Sequence, residues 1–137
     1  MRLLTGLLFV SLAVVACDRA GIVADQPFVF VGTWGGDHAG LIATSVGGTM
    51  EYDCATGRIT EPLIAGSDGR FVAAGTHTPG HGGPIRPDEV LPSRPARYDG
   101  RVDGDLMSLT VVMTDSNATV GTFQLTRGRS PKVFKCL

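Results

Sequence analysis

From residue 28 onward, apolar side chains recur at every second position, and a 3.6-residue period never holds for three turns. This pattern predicts an all-β protein. Its clearest run is 106–114, where Met107, Leu109, Val111 and Met113 share one face while Ser108, Thr110 and Thr114 share the other. The run before it, 96–102, sets Tyr98 and Val102 against Arg97, Asp99 and Arg101. Asp103-Gly104 between them tolerates the positive φ of a type I′ turn, so the two runs predict a hairpin. Gly47-Gly48, Asp68-Gly69 and Asp115-Ser116-Asn117 separate further runs at 40–46, 49–54, 71–78 and 118–127. With 28–34 in front and 132–137 behind, about eight short antiparallel strands result. An up-and-down barrel or a β-sandwich would accommodate them.

Parity distinguishes these two. In 28–34, Phe28, Phe30 and Trp34 fall on one face; in 118–127, Phe123, Leu125 and Arg127 do. Trp34 and Arg127 are therefore expected to face inward at strand ends, where a guanidinium over an indole is favourable. Gly32-Thr33-Trp34 with a late-strand arginine resembles the closed end of lipocalin-like barrels. That resemblance implies a barrel whose end is plugged by this pair. The inward set Phe30, Met107, Leu109, Met113, Phe123 and Leu125 is bulky, and an interior of eight strands is just wide enough to be filled by such side chains or to hold one small ligand.

The first residues have another character. Arg2 is followed by an apolar stretch, 3–16, that is shorter than the ~20 residues of a membrane span. A positive start, an apolar run and a small-residue end make a secretory signal. The ending Val14-Val15-Ala16-Cys17 resembles a bacterial lipobox, which implies that Cys17 becomes the first mature residue, carries lipid and anchors the protein to a membrane. The expected organisation is a signal peptide at 1–16, a lipidated cysteine and tether at 17–27, and a single β domain at 28–137.

Export also bears on the other cysteines. Of the three in the chain, Cys54 and Cys136 remain once Cys17 is assigned to lipid, and an oxidising compartment predicts a disulfide between them; two buried thiols are the alternative. Twelve basic against thirteen acidic side chains, without a Lys/Arg cluster, argue against nucleic acid as partner.

Trp34-Gly35-Gly36-Asp37-His38, Tyr52-Asp53-Cys54, His81-Gly82-Gly83-Pro84, Leu125-Thr126-Arg127-Gly128 and Phe134-Lys135-Cys136-Leu137 together resemble a group of small, uncharacterised bacterial exported proteins. The resemblance implies one compact domain and carries no activity with it.

Chemistry-bearing residues are few. The segment 76–95 holds Pro79, Pro84, Pro87, Pro92 and Pro95 with Gly80, Gly82 and Gly83. Connections of such length in compact domains are usually functional or disordered, and their prolines reduce the entropy lost on docking. His77, His81, Pro84 and Arg86 are the candidate contacts in it. Asp37, His38, His77 and His81 form a candidate zinc or copper set, although His77 and His81 share no helical face. No Gly-x-Ser-x-Gly elbow or lysine-bearing phosphate loop is present, so catalysis is not expected.

These observations predict a lipid-anchored envelope protein that binds an envelope protein or small ligand through its barrel end and the 76–95 loop. One alternative is a metal-binding envelope protein. The other is an inhibitor of a secreted hydrolase, a lysozyme or protease: Tyr52-Asp53-Cys54 with a cysteine near the C-terminus is similar to the layout of bacterial lipoprotein inhibitors of c-type lysozyme, with Ala96-Arg97-Tyr98 standing for their small-residue loop.

Overall fold

The computed structural model describes residues 26–137. The signal segment 1–16, Cys17 and most of the tether lie outside the described residues. Among the described residues ten strands form: β1 Phe28–Val29, β2 Gly32–Gly35, β3 Ala39–Thr44, β4 Gly47–Tyr52, β5 Ala55–Ile59, β6 Ile64–Ala65, β7 Arg70–Pro79, β8 Arg94–Asp103, β9 Leu106–Met113 and β10 Thr119–Arg127. Eight of them close an antiparallel barrel in the order β10-β2-β3-β4-β5-β7-β8-β9, and β1 pairs with β6 in a separate two-stranded sheet. The sandwich alternative is therefore set aside.

Alternation builds the core as the period of two requires. Met107, Leu109 and Val111 of β9 meet Ala96, Tyr98 and Val102 of β8 and Leu125 of β10 inside the barrel, and all seven are buried. Met113, Val120 and Phe123, nearer the other end of the same strands, are only partly buried. The hairpin turn at Gly104 has φ +58°, the left-handed backbone that favours glycine.

Seven of the eight expected strands belong to the barrel, and the eighth is a different segment. Residues 132–137 contribute only a parallel bridge from Lys132 to Asp37. They belong to a tail that leaves β10 and crosses the outer face of β2 and β3. Gly35 and Gly40 make this possible, since a Cβ on Gly35 would strike the Arg129 carbonyl and one on Gly40 would press into the Pro131 ring. The eighth barrel strand is instead β5, whose inward positions are Ala55, Gly57 and Ile59. Gly57 leaves room for the Tyr98 hydroxyl, so this strand fills its share of the core with a side chain from across the barrel.

The first segment also divides. Phe28 is exposed rather than inward, because it pairs with Ala65 in the small sheet. Gly32, at φ +128°, then redirects the chain into the barrel. Between the two pieces, Phe30 donates its N–H to the Leu63 carbonyl at 3.1 Å. Its ring meets Trp34 and Phe71 edge-on, with centroids 6.2 and 4.9 Å away. The small sheet thereby closes the barrel end near Trp34.

The predicted 76–95 loop is shorter than expected. β7 continues through Pro79 and β8 begins at Arg94, leaving 80–93 as the connection. Pro95 sits inside a strand because its carbonyl accepts from Thr114 N–H, beyond the last residue of β9, so its missing donor falls where the β9 ladder has ended.

Candidate functional site

At one end of the barrel Trp34 and Arg127 are register partners across the β2–β10 seam. The indole is buried, and the Arg127 guanidinium carbon lies 4.2 Å from its ring centroid. Arg127 also donates to the Val31 carbonyl at 3.2 Å and pairs with Asp105 at 3.3 Å. This end is shut by side chains and by the small sheet.

The opposite end collects the chemistry. There the β4–β5 turn, the 80–93 connection and the C-terminal tail meet around the Cys54–Cys136 disulfide, which spans 4.7 Å between Cα atoms. Phe134 carbonyl accepts from Cys54 N–H at 3.0 Å, and Phe134 N–H donates to Asp53 Oδ1 at 2.7 Å. The Gly80 N–H donates to the Cys54 carbonyl at 2.7 Å, and a Cβ on Gly82 would collide with Leu137. Tail and connection are thus fastened to the same turn.

The connection is also held from within. His81 uses both ring nitrogens, Nδ1 on the Gly82 carbonyl at 2.8 Å and Nε2 on Glu89 at 2.7 Å. Both partners are acceptors, so the full arrangement requires an imidazolium. Those acceptors raise the His81 pKa, the Gly82 carbonyl most, and the Arg86 N–H followed by His81 lowers that of Glu89. Arg86 enters through its backbone, donating N–H to Glu89 at 3.3 Å, and Pro84 is exposed nearby.

Below the connection lies a cleft of about 270 Å³, lined among others by Tyr52, Ala55, Ile85, Leu91 and Phe134. Ile85 and Phe134 of this lining also expose apolar surface to solvent. A larger groove of about 610 Å³ lies elsewhere, on the outer face of β2–β5 beneath Gly128–Pro131; Ile42 and threonines 33, 49 and 56 are part of its wall.

Inside the barrel, Tyr52 donates its hydroxyl to Tyr98 at 3.1 Å, and Tyr98 donates to the Thr76 carbonyl at 2.7 Å. Burial pushes both phenols above their ordinary value. Period-two reading could not foresee this relay, because it joins β4 to β7 through β8. His77 is buried with its ring edge toward Tyr52, centroids 5.4 Å apart. Burial first, and the Arg94 charge second, lower its pKa, which favours the neutral ring. Its Nδ1 has no hydrogen-bond partner among the described residues.

The candidate metal residues are not brought together. His77 is inside the barrel, His81 is in the connection, and His38 is outside, with Nδ1 on Asp53 Oδ2. Asp37 turns to Arg129 at 2.9 Å. Among the described residues no three His, Cys, Asp or Glu side chains form a metal-holding group. Ala96-Arg97-Tyr98 is likewise no projecting loop, since it lies within β8 with Ala96 and Tyr98 in the core. No family model, curated protein or solved structure matches the chain.

Proposed function

We propose that this chain is a lipid-anchored protein of the bacterial cell envelope that works as a non-enzymatic binding module. Its anchor is Cys17, and its recognition surface is the loop end, formed by 80–93 and the C-terminal tail. The observation that carries this reading is the fastening of the connection: His81, Glu89, the Gly80 N–H and the adjacent disulfide hold a Pro/Gly-rich segment over an apolar cleft. A segment ordered before binding loses less entropy on docking, and exposed apolar surface around a cleft marks an interaction site. The partner class that fits is another envelope protein or a small, largely apolar ligand.

A pull-down from envelope extracts tests it. The full chain should retain a partner that a variant with 80–93 replaced by a short Gly/Ser link loses. Equal retention by both would remove the loop end from the binding surface. Cys17→Ser should release the protein from membrane fractions and abolish fatty-acid labelling, and labelling that persists would end the lipoprotein reading.

A further inference from the structure

The barrel closes unevenly. β10 pairs with β9 from Thr119 to Thr126, yet it pairs with β2 only at Thr126 and Arg127. Gly128 N–H adds one bond to the Thr33 carbonyl, and Gly36 packs against the Gln124 carbonyl. Past that point the chain turns away from the seam, through His38 at φ 70°, to meet Lys132. Among the described residues, no strand pairs with this side of β10 from Thr119 to Leu125.

Backbone direction fixes which groups are open. Arg127 N–H points to β9, where it reaches the Asp105 carbonyl, and Gly128 N–H points to β2. In an antiparallel strand the N–H and C=O of one residue point the same way, and neighbouring residues alternate. Thr122, an even-numbered residue facing Thr110, therefore turns both backbone groups toward the open seam. The ladder shifts register between Thr119 and Gly121.

We propose that the open edge of β10, centred on Thr122, is a docking strand for an extended peptide segment of a partner protein, which adds itself to the barrel beside β10. This inference does not rest on the 80–93 reading. A strand edge recognises its partner by main-chain hydrogen bonds, with alternate side chains giving selectivity. Here Phe123 and Val120 are half-buried beside the edge, and the Phe123 ring continues to Tyr52, 5.4 Å away, as an apolar floor. Natural edges that avoid pairing carry lysines, prolines or inward charges. From Ala118 to Thr126 there is no charged residue and no proline, and only the register shift disturbs the edge. A short peptide suits it better than a second copy, because a stable dimer needs more than about 1,000 Å² of buried surface, beyond what a few edge residues on a convex barrel supply.

The test uses isotopically labelled full chain and the peptide acetyl-Lys-Thr-Val-Thr-Val-Thr-Lys-amide, with a control N-methylated at alternate residues. Saturable movement of the Thr122 and Gln124 amide signals at roughly millimolar peptide, weakened about tenfold or more by N-methylation, is the expected result. Replacing 80–93 with a Gly/Ser link should leave it intact. Thr122→Pro should abolish it while the β9 amides keep their protection, because that N–H does not serve the β9 ladder. No response at β10, a response equal for both peptides, or one lost with 80–93 would overturn the proposal. So would signals that move with protein concentration alone, which would show pairing between two copies.

Discussion

Arg127 stands directly across the closing seam from Trp34 and lays its guanidinium on the buried indole, 4.2 Å from the ring centroid. The two contributions differ in kind. Trp34 fills the barrel end against Phe30, so Trp34→Ala leaves a cavity and should cost about 3–5 kcal/mol. Arg127, with a half-exposed side chain, supplies a cation–π contact that is worth about 0.5–1 kcal/mol at such sites. Chemical denaturation of Trp34→Ala and Arg127→Ala should separate them in that order, and equal losses would show that the arginine also supports packing.

The Tyr52–Tyr98–Thr76 relay makes an asymmetric prediction. Tyr98→Phe strands the buried Tyr52 hydroxyl and takes a donor from the half-buried Thr76 carbonyl, whereas in Tyr52→Phe the Tyr98 hydroxyl still bonds Thr76. An unsatisfied buried group costs about 1–3 kcal/mol. Tyr98→Phe should therefore be the more destabilising change by at least about 1 kcal/mol in equilibrium unfolding.

Alternation is legible in sequence where both faces carry contrasting side chains, which is why β8 and β9, with Tyr98, Val102, Met107, Leu109 and Val111 inward, are plain from residue order. β5 is not, because Gly57 occupies an inward position and its share of the core is taken by the Tyr98 hydroxyl, a long-range substitution no local period reveals. The tail 132–137 reads as a strand from its composition, but past Gly128 the chain leaves the seam and crosses the outer face of β2 and β3, where Gly35 and Gly40 make room for it. Trp34 and Arg127 were legible as a pair through parity. His81 and Glu89 were not, since a clasp between residues in a Pro/Gly segment depends on the path of the backbone.

Disulfide loss should act on the tail before the barrel. Cys54–Cys136 closes a sequence separation of 82, for which the chain-entropy argument gives about 4–5 kcal/mol, with the mechanism disputed. Cys136→Ala should lower stability by a few kcal/mol. Hydrogen exchange should also speed up at Lys132 and Phe134, whose N–H groups bond Gly36 and Asp53. Unchanged exchange there would mean that the backbone bonds hold the tail without the disulfide.

Zinc or copper titration should leave the melting temperature unchanged. A ligand bound only to the native state stabilises it by mass action, and Asp37, His38, His77 and His81 make separate contacts instead of one site. A saturable rise that His77→Ala removes would require these residues to regroup around the metal.

The connection 80–93 should tighten and loosen with pH through its clasp. His81 has a raised pKa in the folded chain, so its contribution is complete below the ordinary 6.5 and is lost as pH rises through the raised value. Glu89 has a lowered pKa, so its contribution is complete above the ordinary 4.5 and is lost as pH falls through the lowered value. The two together place the firmest clasp between pH 4.5 and 6.5. Both side chains reach solvent, which screens the pair, so global stability should move little. The response belongs to local order: amide exchange and proteolysis within 80–93 should be slowest in that window and accelerate as pH rises above it. Glu89→Gln should remove the acid limb and weaken the alkaline one, since it takes away the charge that His81 meets while the Gly82 carbonyl, the larger cause of the raised His81 pKa, stays. His81→Gln should remove the alkaline limb, and a loop whose exchange, corrected for intrinsic pH effects, stays constant from pH 5 to 9 would show that the prolines and the disulfide alone keep it ordered.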